Sequence, residues 1–167
     1  MAKRFAIVLS FILVWLLSAC GPKQGHFAIY LPAENTTPAE MTQLPLERLK
    51  LSDKMLLAPD DIVAYEQNTH KLILSAEGYE KLLLQQVPMD GLPLIAAVGD
   101  QPVYPIALWT PLSSATFDGL IIMQPFEPDA REVFILTGYP TDKFFSGVDP
   151  RSQQIILDSL KADKKLR

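Results

Sequence analysis

The stretch Leu92 to Met123, LPLIAAVGDQPVYPIALWTPLSSATFDGLIIM, decides the fold. Leu92 to Val98 is an apolar run of strand length, and Gly99-Asp100 after it is a two-residue turn of the kind that joins antiparallel strands. Pro102 to Trp109 is then the partner strand. Its prolines, Pro102 and Pro105, argue against a regular central strand, because proline brings no N–H to a ladder. A nine-residue loop, Thr110 to Asp118, leads to the apolar run Gly119 to Met123. Trp109 borders that loop, and Leu112 and Phe117 lie within it. Large apolar residues beside a loop have two readings: a surface for a partner, or core residues folded back on the sheet. The sequence leaves both open.

On the amino-terminal side, Ser75 is placed to cap a helix over Ala76 to Gln86, with Glu77 in its first turn and a buried stripe of Tyr79, Leu82 and Leu83. Ile62 to Tyr65 and Lys71 to Leu74 read as two strands around a polar turn. Asp60 is a candidate turn cap ahead of them. Phe27 to Leu31 reads as another strand, Ala33 to Pro45 as a loop or crossover, and Leu44 to Leu57 as irregular or one short strand. On the carboxyl-terminal side, Arg131 to Thr137 is a strand. Asp149-Pro150 resembles an N-cap with proline at N1, opening a helix from Arg151 to about Lys164 with Ile155, Ile156 and Leu160 on one face. Lys161 to Arg167 reads as a frayed helix end. The order of elements predicts an α+β domain, a mostly antiparallel sheet backed by two helices.

The other end of the chain carries an address. Lys3 and Arg4 precede Phe5 to Leu17, thirteen residues without charge, which is the layout of a secretory leader and is short for a membrane span. The four residues that follow, Leu17-Ser18-Ala19-Cys20, resemble the lipobox of bacterial lipoproteins. That resemblance implies cleavage between Ala19 and Cys20, a diacylglycerol on the Cys20 thiol, and a protein held by its lipid on the extracytoplasmic face of the cell membrane. The expected divisions are 1–19 as signal peptide, 20–25 as lipidated cysteine and short tether, and 26–167 as one extracytoplasmic domain. Of the 167 residues 148 remain after cleavage, enough for one core. Since Lys3 and Arg4 leave with the leader, 13 basic residues face 19 acidic ones. An acidic balance without a basic stripe argues against nucleic acid and against adhesion to anionic headgroups by charge, so attachment is expected to rest on the lipid.

Catalytic chemistry has few residues to draw on. Cys20 is the sole cysteine, and once lipidated it leaves no thiol for a disulfide, a metal or a nucleophile. His26 and His70 lie forty-four positions apart, against the four ligands of a structural zinc site, and no metal or other cofactor is expected. Ser113-Ser114 lacks a nucleophile-elbow context, Asp60-Asp61 lacks calcium-loop spacing, and no phosphate-binding loop is present. No catalytic residue is assigned.

Leu72 to Lys81, LILSAEGYEK, is similar to the strand, Ser/Thr-x-Glu-Gly and helix of the periplasmic head domain of SecD, the Sec translocase accessory subunit. Leu94 to Val98, the Gly99-Asp100 turn, Pro102 to Ala107 and Phe117-Asp118-Gly119-Leu120 follow in a similar order. The turn reads Gly-Asp where that family has Asp-Gly, and SecD's transmembrane helices have no counterpart here. What the resemblance implies is an antiparallel sheet backed by helices that docks or handles polypeptide outside the membrane. The leading expectation is a non-enzymatic lipoprotein, a binding or accessory module for an envelope protein, with Trp109, Leu112 and Phe117 as candidate contacts. The alternative is a solute- or cell-wall-ligand-binding lipoprotein with its pocket between the sheet and the carboxyl-terminal helix. An enzyme would require His70 in a cleft beside a carboxylate.

Overall fold

The computed structural model describes residues 25–127 and 130–167, so Ala19 and Cys20, the expected cleavage and lipidation positions, lie outside the described residues. The chain forms eight strands: β1 (Phe27–Pro32), β2 (Leu51–Leu57), β3 (Ile62–Glu66), β4 (Lys71–Leu74), β5 (Leu92–Val98), β6 (Gln101–Trp109), β7 (Phe117–Met123) and β8 (Glu132–Tyr139). Three α-helices accompany them: α1 (Pro38–Thr42), α2 (Ala76–Leu83) and α3 (Gln154–Ala162). The strands form one sheet in the order β2-β1-β5-β6-β7-β8-β4-β3. Every neighbouring pair is antiparallel except β6 and β7, which run parallel. The fold is thus α+β with a mostly antiparallel sheet, as the order of elements predicts.

The edge strands β2 and β3 follow one another in the chain, joined only through residues 58–61. Eight strands laid flat span about 34 Å, whereas the five peptide steps from Leu57 to Ile62 reach at most about 18 Å. The sheet therefore curls until its edges approach. Its concave side holds the main core, in which Phe27, Ile29 and Leu57 from one flank meet Tyr65, Leu72 and Leu74 from the other. Helices α2 and α3 fill the hollow with Tyr79 and Leu82, and with Ile156 and Leu160. Residues of odd and even parity on β5 serve different cores: Leu94 and Ala96 enter the hollow, while Ile95 packs outside it against Met41 and Leu49.

Several local expectations are corrected. Strand β6 is central despite its prolines, because its pairing with β7 runs only from Ala107 to Trp109, beyond both of them. On its other flank the register with β5 shifts between Ala96 and Ala97, opposite Tyr104 and Pro102. The 33–45 stretch contains a third helix: Thr37 and Glu40 form a reciprocal capping box that nucleates the five-residue α1. Leu51–Leu57 is a complete edge strand. Before β3, Asp61 rather than Asp60 caps the turn, accepting the Ala58 N–H at 2.7 Å. Helix α2 does start after the Ser75 cap, which accepts the Gly78 N–H at 3.0 Å, but it stops at Leu83. Asp149 caps no helix; its carboxylate is held by Arg151, and α3 begins at Gln154. The expected frayed tail instead extends the sheet, with Tyr65 donating to the Lys165 carbonyl at 2.8 Å and Arg167 donating to the Tyr65 carbonyl at 2.9 Å.

Candidate functional site

Trp109 and Phe117 belong to the interior, which corrects their assignment as an exposed contact. Trp109 is 2% and Phe117 6% exposed, and their rings stack with centroids 5.1 Å apart. The close approach depends on Gly91, at φ +87°, where an added Cβ would lie 2.5 Å from the indole. Tyr139 adds a tilted ring at 5.5 Å. Together with Ala107 and Ile121 these side chains form a small core on the outer face of the sheet.

Leu112 has the opposite fate. The Thr110–Thr116 loop crosses over the aromatic cluster and is pinned by Ser113, whose Oγ donates to the Met89 carbonyl at 2.5 Å and accepts the Ala115 N–H at 3.1 Å. Tyr139 Oη donates to the Ser113 carbonyl at 3.2 Å. So clipped, the loop leaves Leu112 77% exposed. Met89 stands beside it at 54%. Gln124 joins this corner to α2, because its N–H donates to the Trp109 carbonyl at 2.8 Å and its Nε2 to the Gln85 carbonyl at 2.8 Å. Leu84, 71% exposed, and Phe126, 64% exposed, flank that junction. Among the described residues five large apolar side chains are more than half exposed, and only Val148 lies elsewhere. The four therefore form a rim at one end of the β5, β6 and β7 strands. Below Phe126 a shallow apolar depression of about 260 Å³ is lined by Met123, Phe134 and Leu136. Exposed carboxylates of Glu80, Asp90 and Glu127 stand around the rim. Sequence reading placed one of the four here, Leu112. The signal for Met89 was its place in the Val87 to Gly91 break, between helix and strand, where no periodicity buries it.

At the other end of β1, β5 and β6 the surface is held by polar ties. Ser159 Oγ donates to the Gly25 carbonyl at 3.0 Å, Gly99 donates to the His26 carbonyl at 3.0 Å, and His26 Nδ1 lies 2.9 Å from the Asp163 carboxylate. The described chain thus begins against the β5–β6 turn and the end of α3.

The most enzyme-like group is Tyr65, His70, Arg151 and Asp149. The Tyr65 hydroxyl is 2.7 Å from His70 Nδ1 and 3.3 Å from the Arg151 carbonyl. Burial pushes the Tyr65 phenol up to about 12, so at neutral pH it is not a base. Burial and then the Arg151 charge push the His70 imidazole down. The carboxylate that lies near, Asp149, is taken by two Arg151 nitrogens at 2.9 and 2.7 Å, which hold its carboxyl below the usual range. Arg151 also donates to the Ile135 carbonyl at 2.6 Å. This arrangement is a clamp that fastens the β3–β4 turn, where His70 has φ +53°, and the segment before α3 onto β8. The space between sheet and carboxyl-terminal helix, expected as a ligand pocket, is filled by Ile156 and Leu160.

A curled, mostly antiparallel α+β domain with an apolar rim defines the class of structure. Comparison with known proteins returns no matching family model, no matching curated protein and no matching solved structure.

Proposed function

We propose that the chain is a non-enzymatic lipoprotein, anchored through Cys20 on the extracytoplasmic face of the membrane, that binds an envelope protein through the rim of Leu84, Met89, Leu112 and Phe126. The observation carrying this reading is the concentration of four of the five most exposed large apolar side chains at one end of the strands, opposite Gly25. Exposed apolar residues gathered around a loop mark binding surfaces more often than scattered ones do. Their position suits an anchored protein, since Gly25 is five residues from Cys20 and the rim is a strand length away, about 20 Å along β5. The SecD-like order of elements from Leu72 to Leu120 supports a polypeptide partner. The filling of the interior by α3 weighs against a small-ligand pocket between the sheet and that helix.

The test is photo-crosslinking in cells from a probe at Leu112, with a probe at Asp158 on the exposed side of α3 as control. Specific adducts from Leu112 with an envelope protein are expected. Equal adducts from both positions, or none from a folded and exposed Leu112 probe, would overturn the rim as the contact.

A further inference from the structure

Four of the protein's 15 lysines and arginines, Lys161, Lys164, Lys165 and Arg167, fall in its last seven residues. This basic stripe corrects the expectation, drawn from the overall acidic balance, that none is present, and it lies close to the point where the described chain begins. Lys164 follows Asp163, the residue that meets His26, and Lys161 is two residues before it. Lys161, Lys164 and Arg167 are exposed, whereas Lys165 is half-buried and donates to the Pro59 carbonyl at 2.7 Å. The segment is also fixed: Lys165 donates to the Leu160 carbonyl and Arg167 to that of Tyr65, at 2.8 and 2.9 Å. The one acid within it, Asp163, faces His26, and the exposed acids Asp60 and Asp100 stand nearby on turns. The rim has the contrary balance, with Glu80, Asp90 and Glu127 exposed and Arg131 as its exposed cation.

We infer that the Gly25 end of the domain rests on an anionic phospholipid surface through Lys161, Lys164 and Arg167, which sets the rim outward. The inference builds on the lipid-anchor reading and adds to it a second, electrostatic contact. A lipid surface is the occupant because of the short reach of the chain: Gly25 is five peptide steps from Cys20, at most about 18 Å when extended. Any shorter tether brings the cations toward the screening length of about 8 Å, where clustered Lys and Arg are drawn to acidic lipid.

Single-cysteine versions of the processed lipoprotein, Ala162→Cys and Leu112→Cys, carry a fluorophore in vesicles of phosphatidylcholine with or without phosphatidylglycerol, and a quencher sits on the lipid headgroups. Quenching at position 162 should rise about twofold or more on adding phosphatidylglycerol, decline in high salt, and exceed that at position 112. Combined Lys161→Glu, Lys164→Glu and Arg167→Glu should abolish the rise. Equal quenching in both lipids, or a rise that salt and charge reversal leave intact, would overturn the inference. Should the triple variant misfold, the salt titration of the parent decides. The mass of the mature amino terminus reports the lipid on Cys20 independently, so its absence would remove the anchor reading while the response to phosphatidylglycerol still judges the stripe.

Discussion

The two ends of the β1, β5 and β6 strands are finished differently. At the Gly25 end, side chains are spent on the protein itself: Ser159 holds the Gly25 carbonyl, Asp163 meets His26, and Lys165 caps the Pro59 carbonyl. At the rim the backbone ties are just as numerous, through Ser113, Gln124 and Tyr79, but the large apolar side chains above them meet solvent. One end uses its polar groups to close the fold. The other uses polar groups to hold apolar residues out of it, which no stability argument requires, since leaving a Leu or Phe in water forgoes about 1.5–3 kcal/mol of burial.

That contrast breaks first at its foundation. Trp109→Ala removes the ring on which Phe117 and Tyr139 pack, and should destabilise the protein by about 3–5 kcal/mol, the usual range for an aromatic lost from a core. Urea unfolding measures it. A change under about 1 kcal/mol would mean that the aromatic cluster is not the rim's support and that Trp109 can be freed for a partner.

The difference between Trp109 and Leu112 also marks where sequence reading ends. The β5–β6 hairpin, the Ser75 cap and most strands were legible because period and turn chemistry are local properties. Burial beside a loop is not local. Whether Trp109 and Phe117 turned inward depended on Gly91 and Gly119 leaving room for their rings, and Gly91 is eighteen positions away in sequence from Trp109. The centrality of β6 was hidden likewise, because a proline forfeits a ladder bond only where a neighbour is present to accept it, and β7 pairs beyond Pro105. The cation cluster at the tail has the local signature of a helix end, and its pairing of Leu166 with Tyr65 joins residues about a hundred positions apart. Of the rim, only Leu112 was visible before the fold gathered Leu84, Met89 and Phe126 around it.

The closing end is tested by Ser159→Ala. Ser159 is 3% exposed, and losing its bond to the Gly25 carbonyl should remove about 1 kcal/mol, read as a shift in urea midpoint at constant slope. No change would show that the amino-terminal residues are not fastened to α3, and that the rim and the Gly25 end are held alike. The clamp between these regions gives a pH signature. His70 is held below its ordinary value of 6.5, chiefly by burial, so in mild acid the unfolded chain takes up a proton that the folded chain refuses. Its contribution is whole above about 6.5 and declines as the pH falls from there toward the folded value. His70→Asn, which tolerates the positive φ, should flatten that acid limb in melting temperature against pH relative to the parent. An unchanged limb would place the titration elsewhere.

The smallest expected change in stability belongs to Leu112→Ser, and it is the most discriminating because binding and folding are predicted to separate there. With 77% of Leu112 already in water, the substitution should alter stability by no more than about 0.5 kcal/mol, while adducts captured from a neighbouring probe at Met89 fall sharply. On the proposed reading a partner would be sensitive to this residue for the same reason the fold is not: the apolar surface of Leu112 would be buried by the complex alone. Were Leu112→Ser to lower stability as much as Ser159→Ala does, the loop would be folding against the domain in solution. Leu112 would then stand with Trp109 as core, and the two ends of the sheet would be closed in the same way.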